Sequence, residues 1–373
     1  MLQRNNGSNT AAQQNSELVS EQNRIRGVVL GTAVGDAVGL AAEGISRRRI
    51  GKLFPHPWQH HFLFGHGMLS DDSEHTVFVI QALLRHPDSP AQFARRLAWS
   101  LRWWFVSLPA GIGLATGRAI IKLWLGFSPQ RSGVYSAGNG PAMRAAPIGA
   151  RYWRDEAMLA RYVAASTRLT HSDPRAQVGA QAVASLCAWC FQRNSMARPA
   201  AHELIKRLRD CGADDAEWQG LIDGMAGALQ EGWSVQQYAA SLGQENGISG
   251  YVYRTVPVAV YAWHHHFGAF EDTLSAVLDC GGDTDTAGAI AGALAGAAVG
   301  EEGIPPRWID GIADWPRGRK FLYRLADQLH LAAQVDRPLA VVRYFWPAVI
   351  PRNVLFLAIV LWHGCRRLLP PYA

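Results

Sequence analysis

The sequence predicts a single all-α domain, a compact bundle of many helices, on three observations. Apolar residues recur at helical spacing in six separate segments. Alternating, strand-like patterns are scarce. Two further segments carry glycine at strict four-residue intervals, which lines those glycines along one helix face. The chain has 373 residues, 49% apolar and 18% charged. That excludes a disordered chain and allows a large buried core. Glycine is over-used, at 37 residues, but without the three-residue period of collagen.

Taken in order, the first 23 residues are rich in Gln, Asn and Ser. They have no apolar core, so they read as a disordered polar tail rather than a signal peptide. Residues 24–373 read as one domain with no obvious linker. The first glycine segment, GVVLGTAVGDAVG, places Gly27, Gly31, Gly35 and Gly39 on one face. Helical periodicity follows in Val77–Leu84, Phe93–Phe105, Ala157–Ala165, Gln177–Phe191, Val256–Trp263 and Phe321–Leu331. Connectors rich in Pro and Gly separate these at His86–Pro90, Ser107–Gly113, Ser128–Gly140 and Gly303–Pro306. The second glycine segment, GAIAGALAGAAVG, places Gly288, Gly292, Gly296 and Gly300 alike. An interior helix glycine costs about 0.5–1 kcal/mol relative to alanine, so a compensating gain is required, and close approach of two backbones supplies one. The apolar stretch from Val354 to Pro371 reads as a packed closing helix.

Charge and cysteine usage narrow the class. The net charge is +6 and the pI near 9.2. The excess is mild and scattered, which suits a pocket for a small anion better than a nucleic-acid surface. Five cysteines show no disulfide framework, and Cys187 and Cys190 lie in an Ala-rich apolar stretch as buried helix thiols. The apolar runs Ala287–Gly300 and Val354–Trp362 are shorter than the roughly 18–20 residues that span a bilayer. The expectation is a cytoplasmic protein with no membrane partner. The run His264-His265-His266 reads as a solvated helix end.

Two acidic clusters precede helices. Ser70-Asp71-Asp72-Ser73-Glu74 opens the segment through Val77–Leu84, and Gly281-Gly282-Asp283-Thr284-Asp285-Thr286 opens the second glycine helix. Each alone could be a helix cap, and Asp71 with Glu74 would make a variant capping box. Each also crowds two carboxylates and a hydroxyl into one turn, and one cap needs only one side chain. Such oxygen donors suit hard divalent cations. Brought together, the clusters could hold two Mg²⁺ or Mn²⁺ ions, roughly 3.5–4 Å apart. A third segment, from Ser136 to Arg144, offers glycine backbone as a phosphate cradle, or simply an Asn-Gly turn.

These motifs, with GTAVGDAVGLAAEG, LTHSDPRA and GISGYVYRTVP, resemble those of the ADP-ribosylglycohydrolases, in that family's order, from about Gly27 to Gly300. The resemblance implies a compact all-α fold with a two-metal site. It implies that Ser70, Asp71, Asp72, Asp283, Asp285 and Thr286 bind two divalent cations, with Ser70 standing where members usually have Thr. It implies that Ser136, Gly138, Asn139, Gly140 and Met143 lie against ADP-ribose, with His171 and Tyr251 as further contacts. Glu43 matches an acid proposed as catalytic, and Asp36 is a structural partner near the site. The implied activity is hydrolysis of the bond between the distal ribose and an attached protein or small molecule, releasing ADP-ribose. Nucleic acid would be a partner only as the ADP-ribosylated substrate itself. The rival readings are a non-catalytic ADP-ribose or nucleotide-binding module and a metal-dependent phosphohydrolase. Gly111 stands where arginine-directed members have an Asp, so the attached group is not assigned.

Overall fold

In the computed structural model, which describes residues 19–193 and 196–368, the two glycine segments set the architecture. Helices Glu21–Gly39 and Thr284–Val299 run antiparallel with their backbones touching. A Cβ built on Gly27 would stand 2.1 Å from the carbonyl oxygen of Gly296, and one on Gly31 2.2 Å from that of Gly292. One on Gly35 would stand 2.0 Å from that of Gly288. No side chain fits at those distances. The helix cost of each glycine is offset by packing that only glycine permits. Both helices are buried on nearly every side, which is why neither segment has a polar face. The sequence expectation needs one correction here: Gly300 is outside its helix, as a C-cap with φ +76°.

Sixteen further α-helices surround this pair, making eighteen among the described residues. The six periodic segments lie within helices Asp71–Arg85, Pro90–Val106, Glu156–Arg168, Pro174–Gln192, Val252–His265 and Arg319–Gln334. Nine helices arise where periodicity had not marked them, among them Leu114–Trp124, Ala201–Cys211, Ala216–Glu231, Val235–Ser241 and Phe270–Leu278. Among the described residues the sheet content is one short antiparallel pair, Ile45–Ser46 with Gly281–Gly282.

The first helix starts at Glu21, where the Ser20 hydroxyl accepts from the Asn23 N–H, so part of the expected tail is helical. Residues 1–18 of that tail lie outside the described residues. Cys187 and Cys190 are buried, as expected, and burial pushes both thiols up, Cys190 to about 12. His264 is not solvated: its ring is buried and its Nε2 bonds the Pro199 carbonyl at 2.9 Å. The closing helix forms as Val349–Arg366 but is packed on one side only, leaving Val354, Leu357, Leu361 and Trp362 exposed. Its hydrogen-bonded length, 21 residues from Trp346, is long and apolar enough to cross a membrane, as is Glu21–Ala42, contrary to the run-length reading. The latter is core, 94% buried. Residues 369–371 of the expected closing stretch lie outside the described residues.

Candidate active site

The antiparallel glycine pair juxtaposes the C-terminal end of the first helix and the N-terminal end of the second. The Thr284 hydroxyl donates to the Gly39 carbonyl at 2.8 Å, and the Gly44 N–H to the Gly282 carbonyl at 2.7 Å. Glu43 and the Asp283–Thr286 cluster therefore meet, although 240 positions separate Glu43 from Asp283. The approach to that cluster is built of glycine for a backbone reason. Gly282 has φ +81°, and a Cβ there would stand 2.1 Å from the Ile248 carbonyl oxygen. Any other residue would be both strained and clashing.

Helix Asp71–Arg85 brings the other cluster. Its N-cap is Ser70, whose Oγ accepts from the Asp72 N–H at 3.2 Å. The capping-box expectation fails, because Glu74 is not a reciprocal cap. It is buried and paired with Arg317 and Arg352, and it accepts from the Trp104 indole. Asp36 projects from the first glycine helix beneath this turn. It accepts from the backbone N–H groups of Ser70 and Ser73 and from the Ser73 hydroxyl. That matches its reading as a structural partner.

The two clusters join through Asp72. Its Oδ2 receives Ser70 Oγ at 3.0 Å and Thr286 Oγ1, from the other cluster, at 3.2 Å. Its Oδ1 is buried and has no partner among the described residues. An orphaned buried carboxylate oxygen is costly unless something else meets it. Burial pushes the carboxyls of Asp71, Asp72 and Asp285 well above the usual carboxylate range, and their like-charged neighbours push further in the same direction. Asp36 is pushed up to about 7 by burial, against the hydrogen bonds it accepts. Glu43 is raised first by burial and then by Asp283, with Arg367 opposing. Glu43 is exposed, so it stands at the mouth of the site rather than in its floor.

The glycine cradle closes a third side. Asn139 Nδ2 donates to Asp283 Oδ2 at 2.6 Å and to Thr255 Oγ1 at 3.1 Å, tying the cradle to the acidic cluster. Ser136 Oγ accepts from the Gly138 N–H at 3.3 Å. The cradle backbone pairs with the Gly250–Val252 strand-like segment: Asn139 N–H donates to Gly250, and Val252 N–H to Ala137. His171 lies against the cradle, its Nε2 3.0 Å from a Cβ built on Gly138 and its Cε1 3.3 Å from one on Gly140. A side chain at either position would crowd the ring.

Two expected contacts are placed differently. Tyr251 meets the cradle through its backbone, while its hydroxyl donates to Glu217 and accepts from Arg175. Met143 is a core residue whose carbonyl accepts from Thr76. Gly111, at the position of the missing Asp, has φ +76° and open space where a Cβ would be. Sequence reading missed Arg144, which is fully buried beneath the cradle, and Arg367, whose Nη2 donates to the Ala41 carbonyl near Glu43. Arg144 was visible only as the last letter of the cradle motif, and Arg367 had no local signal. An aromatic cavity of about 340 Å³, walled by Trp99, Trp103, Trp104, Tyr344 and Trp346, contains none of these site residues.

The donor set fits hard divalent cations in kind: carboxylates, two hydroxyls, and an orphaned buried oxygen at the junction. Among the described residues, no three His, Cys, Asp or Glu side chains are gathered to hold an ion by themselves.

Comparison with known proteins decides the family. The profile described as ADP-ribosylglycohydrolase matches residues 18–339. The chain belongs to the ADP-ribosylglycohydrolase family. It is similar to an uncharacterised protein of Archaeoglobus fulgidus, with 32% identity over 83% of this chain and 96% of that one. It is 27% identical to ADP-ribosylhydrolase ARH3 of Gallus gallus, over 82% of this chain and 92% of that one. With the ADP-ribosyl-[dinitrogen reductase] glycohydrolase of Rhodospirillum rubrum it shares 26% over 79% and 91%. A solved ADP-ribosylglycohydrolase-related protein complex superimposes with a TM-score of 0.63 at 26% identity, covering 85% of this chain and 100% of that chain. Membership of this family makes the chain a hydrolase of ADP-ribosyl conjugates. Its closing helix, Val349–Arg366, lies beyond the matched region.

Proposed function

We propose that this site hydrolyses the glycosidic bond between the distal ribose of ADP-ribose and an attached group, with two divalent cations, Mg²⁺ or Mn²⁺, held by Ser70, Asp71, Asp72, Asp283, Asp285 and Thr286. The observation that carries the reading is Asp72, which joins the two acidic clusters through one oxygen and leaves the other buried and unpartnered. When bound, such ions supply positive charge to the carboxylates and acidity to a coordinated water. The glycine cradle, with Ser136, Gly138, Asn139, Gly140 and His171, would hold the pyrophosphate. Met143 supports the cradle from the core, and Tyr251 supports it through its backbone. Water adds its oxygen to the anomeric carbon, the bond to the attached atom breaks, and a proton passes to the departing group. Glu43 handles that proton. Its pKa is raised by burial and by Asp283, the direction that a proton-carrying carboxyl requires.

The substrate is an ADP-ribosylated protein or small molecule in the cytoplasm, or a nucleic acid that itself carries ADP-ribose. N- and O-glycosidic conjugates are both within this reading. A panel of ADP-ribosylated substrates, each assayed with Mg²⁺ and with Mn²⁺, tests it by the release of free ADP-ribose. Release of inorganic phosphate or AMP would instead support a phosphohydrolase. Tight ADP-ribose binding without turnover of any conjugate would support a binding module.

A further inference from the structure

We propose that Thr170 and Arg144 are positioning residues that lock His171 as a neutral imidazole with its hydrogen on Nε2, so that it serves the cradle as an uncharged hydrogen-bond donor to an anionic ligand oxygen. The inference rests on the ADP-ribose reading of the cradle for the ligand, and on hydrogen-bond bookkeeping for the lock.

The bookkeeping starts at Arg144. Its guanidinium is fully buried and donates to Ser166 Oγ, to the Ser166 carbonyl, to Thr170 Oγ1 at 2.7 Å and to His75 Nδ1 at 3.3 Å. A guanidinium has donors and no acceptor, so Thr170 Oγ1 must accept from it. The Thr170 hydroxyl still has one hydrogen to place. Thr170 is completely buried, and the remaining partner of its oxygen is His171 Nδ1, at 2.9 Å. Donation from Thr170 to Nδ1 satisfies every atom. It leaves Nδ1 unprotonated and puts the ring hydrogen on Nε2.

Nε2 lies on the opposite edge of the ring, against the cradle, and makes no hydrogen bond to any described residue. A side chain at Gly138 or Gly140 would crowd this edge of the ring. Burial and the adjacent Arg144 cation both disfavour imidazolium here, outweighing Asp173. The cation thus acts twice: it polarises the Thr170 hydroxyl that faces Nδ1, and it keeps the ring neutral. A neutral donor of fixed tautomer binds phosphate oxygens without taking up a proton. It also leaves the proton transfer of the reaction to Glu43.

The experiment uses the full chain, labelled with ¹⁵N. Long-range ¹H–¹⁵N correlation of the imidazoles, with the His171 signals identified by their loss in His171→Gln, reads the tautomer directly from pH 5.5 to 8. The expected pattern is unprotonated Nδ1 and protonated Nε2 throughout. Thr170→Val should mix the tautomers and weaken ADP-ribose binding roughly tenfold. Thr170→Ser should restore both, which a merely structural role for the threonine methyl would not predict. A wild-type ring protonated on Nδ1 overturns the lock, as does a Thr170→Val chain with unchanged tautomer. If Thr170→Val does not fold, the wild-type spectrum and the serine variant still decide. A wild-type Nε2–H pattern with no ADP-ribose binding refutes the donor role through the reading of the site, and the spectrum separates that failure from failure of the lock.

Discussion

Gly35→Ala puts one methyl group between the two glycine helices. The added Cβ would lie 2.0 Å from the Gly288 carbonyl oxygen, where ordinary contact begins near 3.4 Å. The obstacle is backbone, so no rotamer change relieves it, and the helices must part by about 1.4 Å, the difference of those two distances. Overpacking of a tight core costs about 1–3 kcal/mol, and this site belongs at the upper end. Alanine returns at most about 1 kcal/mol of helix preference. The expected net loss is about 2 kcal/mol or more, read by urea unfolding. Gly224→Ala is the control. It lies inside helix Ala216–Glu231 with nothing within 4 Å of its Cβ position, and should gain about 0.5–1 kcal/mol. The same separation would displace Glu43 from Asp285, and a misplacement near 1 Å costs about 100-fold in rate. A Gly35→Ala chain as stable as wild type, beside the expected gain in Gly224→Ala, would refute the argument that backbone contact holds these helices.

Three shorter predictions accompany it. Asp285→Asn removes one charge from a buried like-charged cluster, so its thermal midpoint in chelator should exceed that of wild type, while stabilisation by Mg²⁺ or Mn²⁺ and ADP-ribose release should disappear. A wild-type response to either ion would remove Asp285 from the ligand set. His171 is held down to about 3 by burial and Arg144, against 6.5 for the ordinary ring, so the unfolded chain takes up its proton first and stability falls as pH drops below 6.5. From pH 7 to pH 5 this one group should cost roughly 2 kcal/mol. The buried carboxylates titrate in the opposite sense, so the measured quantity is the difference in pH slope between wild type and His171→Gln, and equal slopes would count against it. Native chain treated with an aromatic disulfide reagent should lose the exposed Cys365 thiol quickly, while Cys187, Cys190 and Cys280, buried and pushed up, react only after unfolding. Rapid modification of more than one thiol in the native chain would contradict that.

Much of this arrangement is legible in local sequence. The four-residue glycine spacing announces a close helix contact, because glycine is costly inside a helix without one. The acidic clusters announce themselves because two carboxylates per turn exceed what a cap uses. What spacing does not carry is which face meets which. Nothing local says that Gly35 lies on Gly288 or that Thr286 reaches Asp72, since those contacts span 253 and 214 positions of chain. The same holds for Glu74, whose spacing suits a cap but whose carboxylate is drawn to Arg317 and Arg352 from the far end of the chain. The helices between Ala201 and Ser241 escaped notice for a different reason. They span 11, 16 and 7 residues, and their apolar positions are few among polar ones, although Ala201–Cys211 does bury Leu204, Ile205 and Leu208 at helical spacing. The closing helix is the reverse case: its composition suggested burial that the fold does not provide.

The charge balance of the site supports the proposed binding of cations. Asp36, Glu43, Asp71, Asp72 and Asp285 raise one another's pKa values or are raised together by burial. The N-termini of helices Asp71–Arg85 and Thr284–Val299 both point at this group, and each contributes about half a positive charge. Together they offset about one carboxylate. The buried cations nearby have other work. Arg144 is directed to Ser166, Thr170 and His75, Arg317 pairs with Glu74, and Arg352 pairs with Asp314 and Glu74. A fold that wanted only stability could have turned one of these arginines to Asp72 or replaced an aspartate with asparagine. Instead the backbone of the glycine pair, which tolerates no side chain, helps gather a surplus of carboxyl groups opposite a cradle of neutral donors. A site with that division suits two divalent cations on one side and a pyrophosphate on the other, and the loss of either partner should be felt by both because Asn139 bonds the cradle to Asp283.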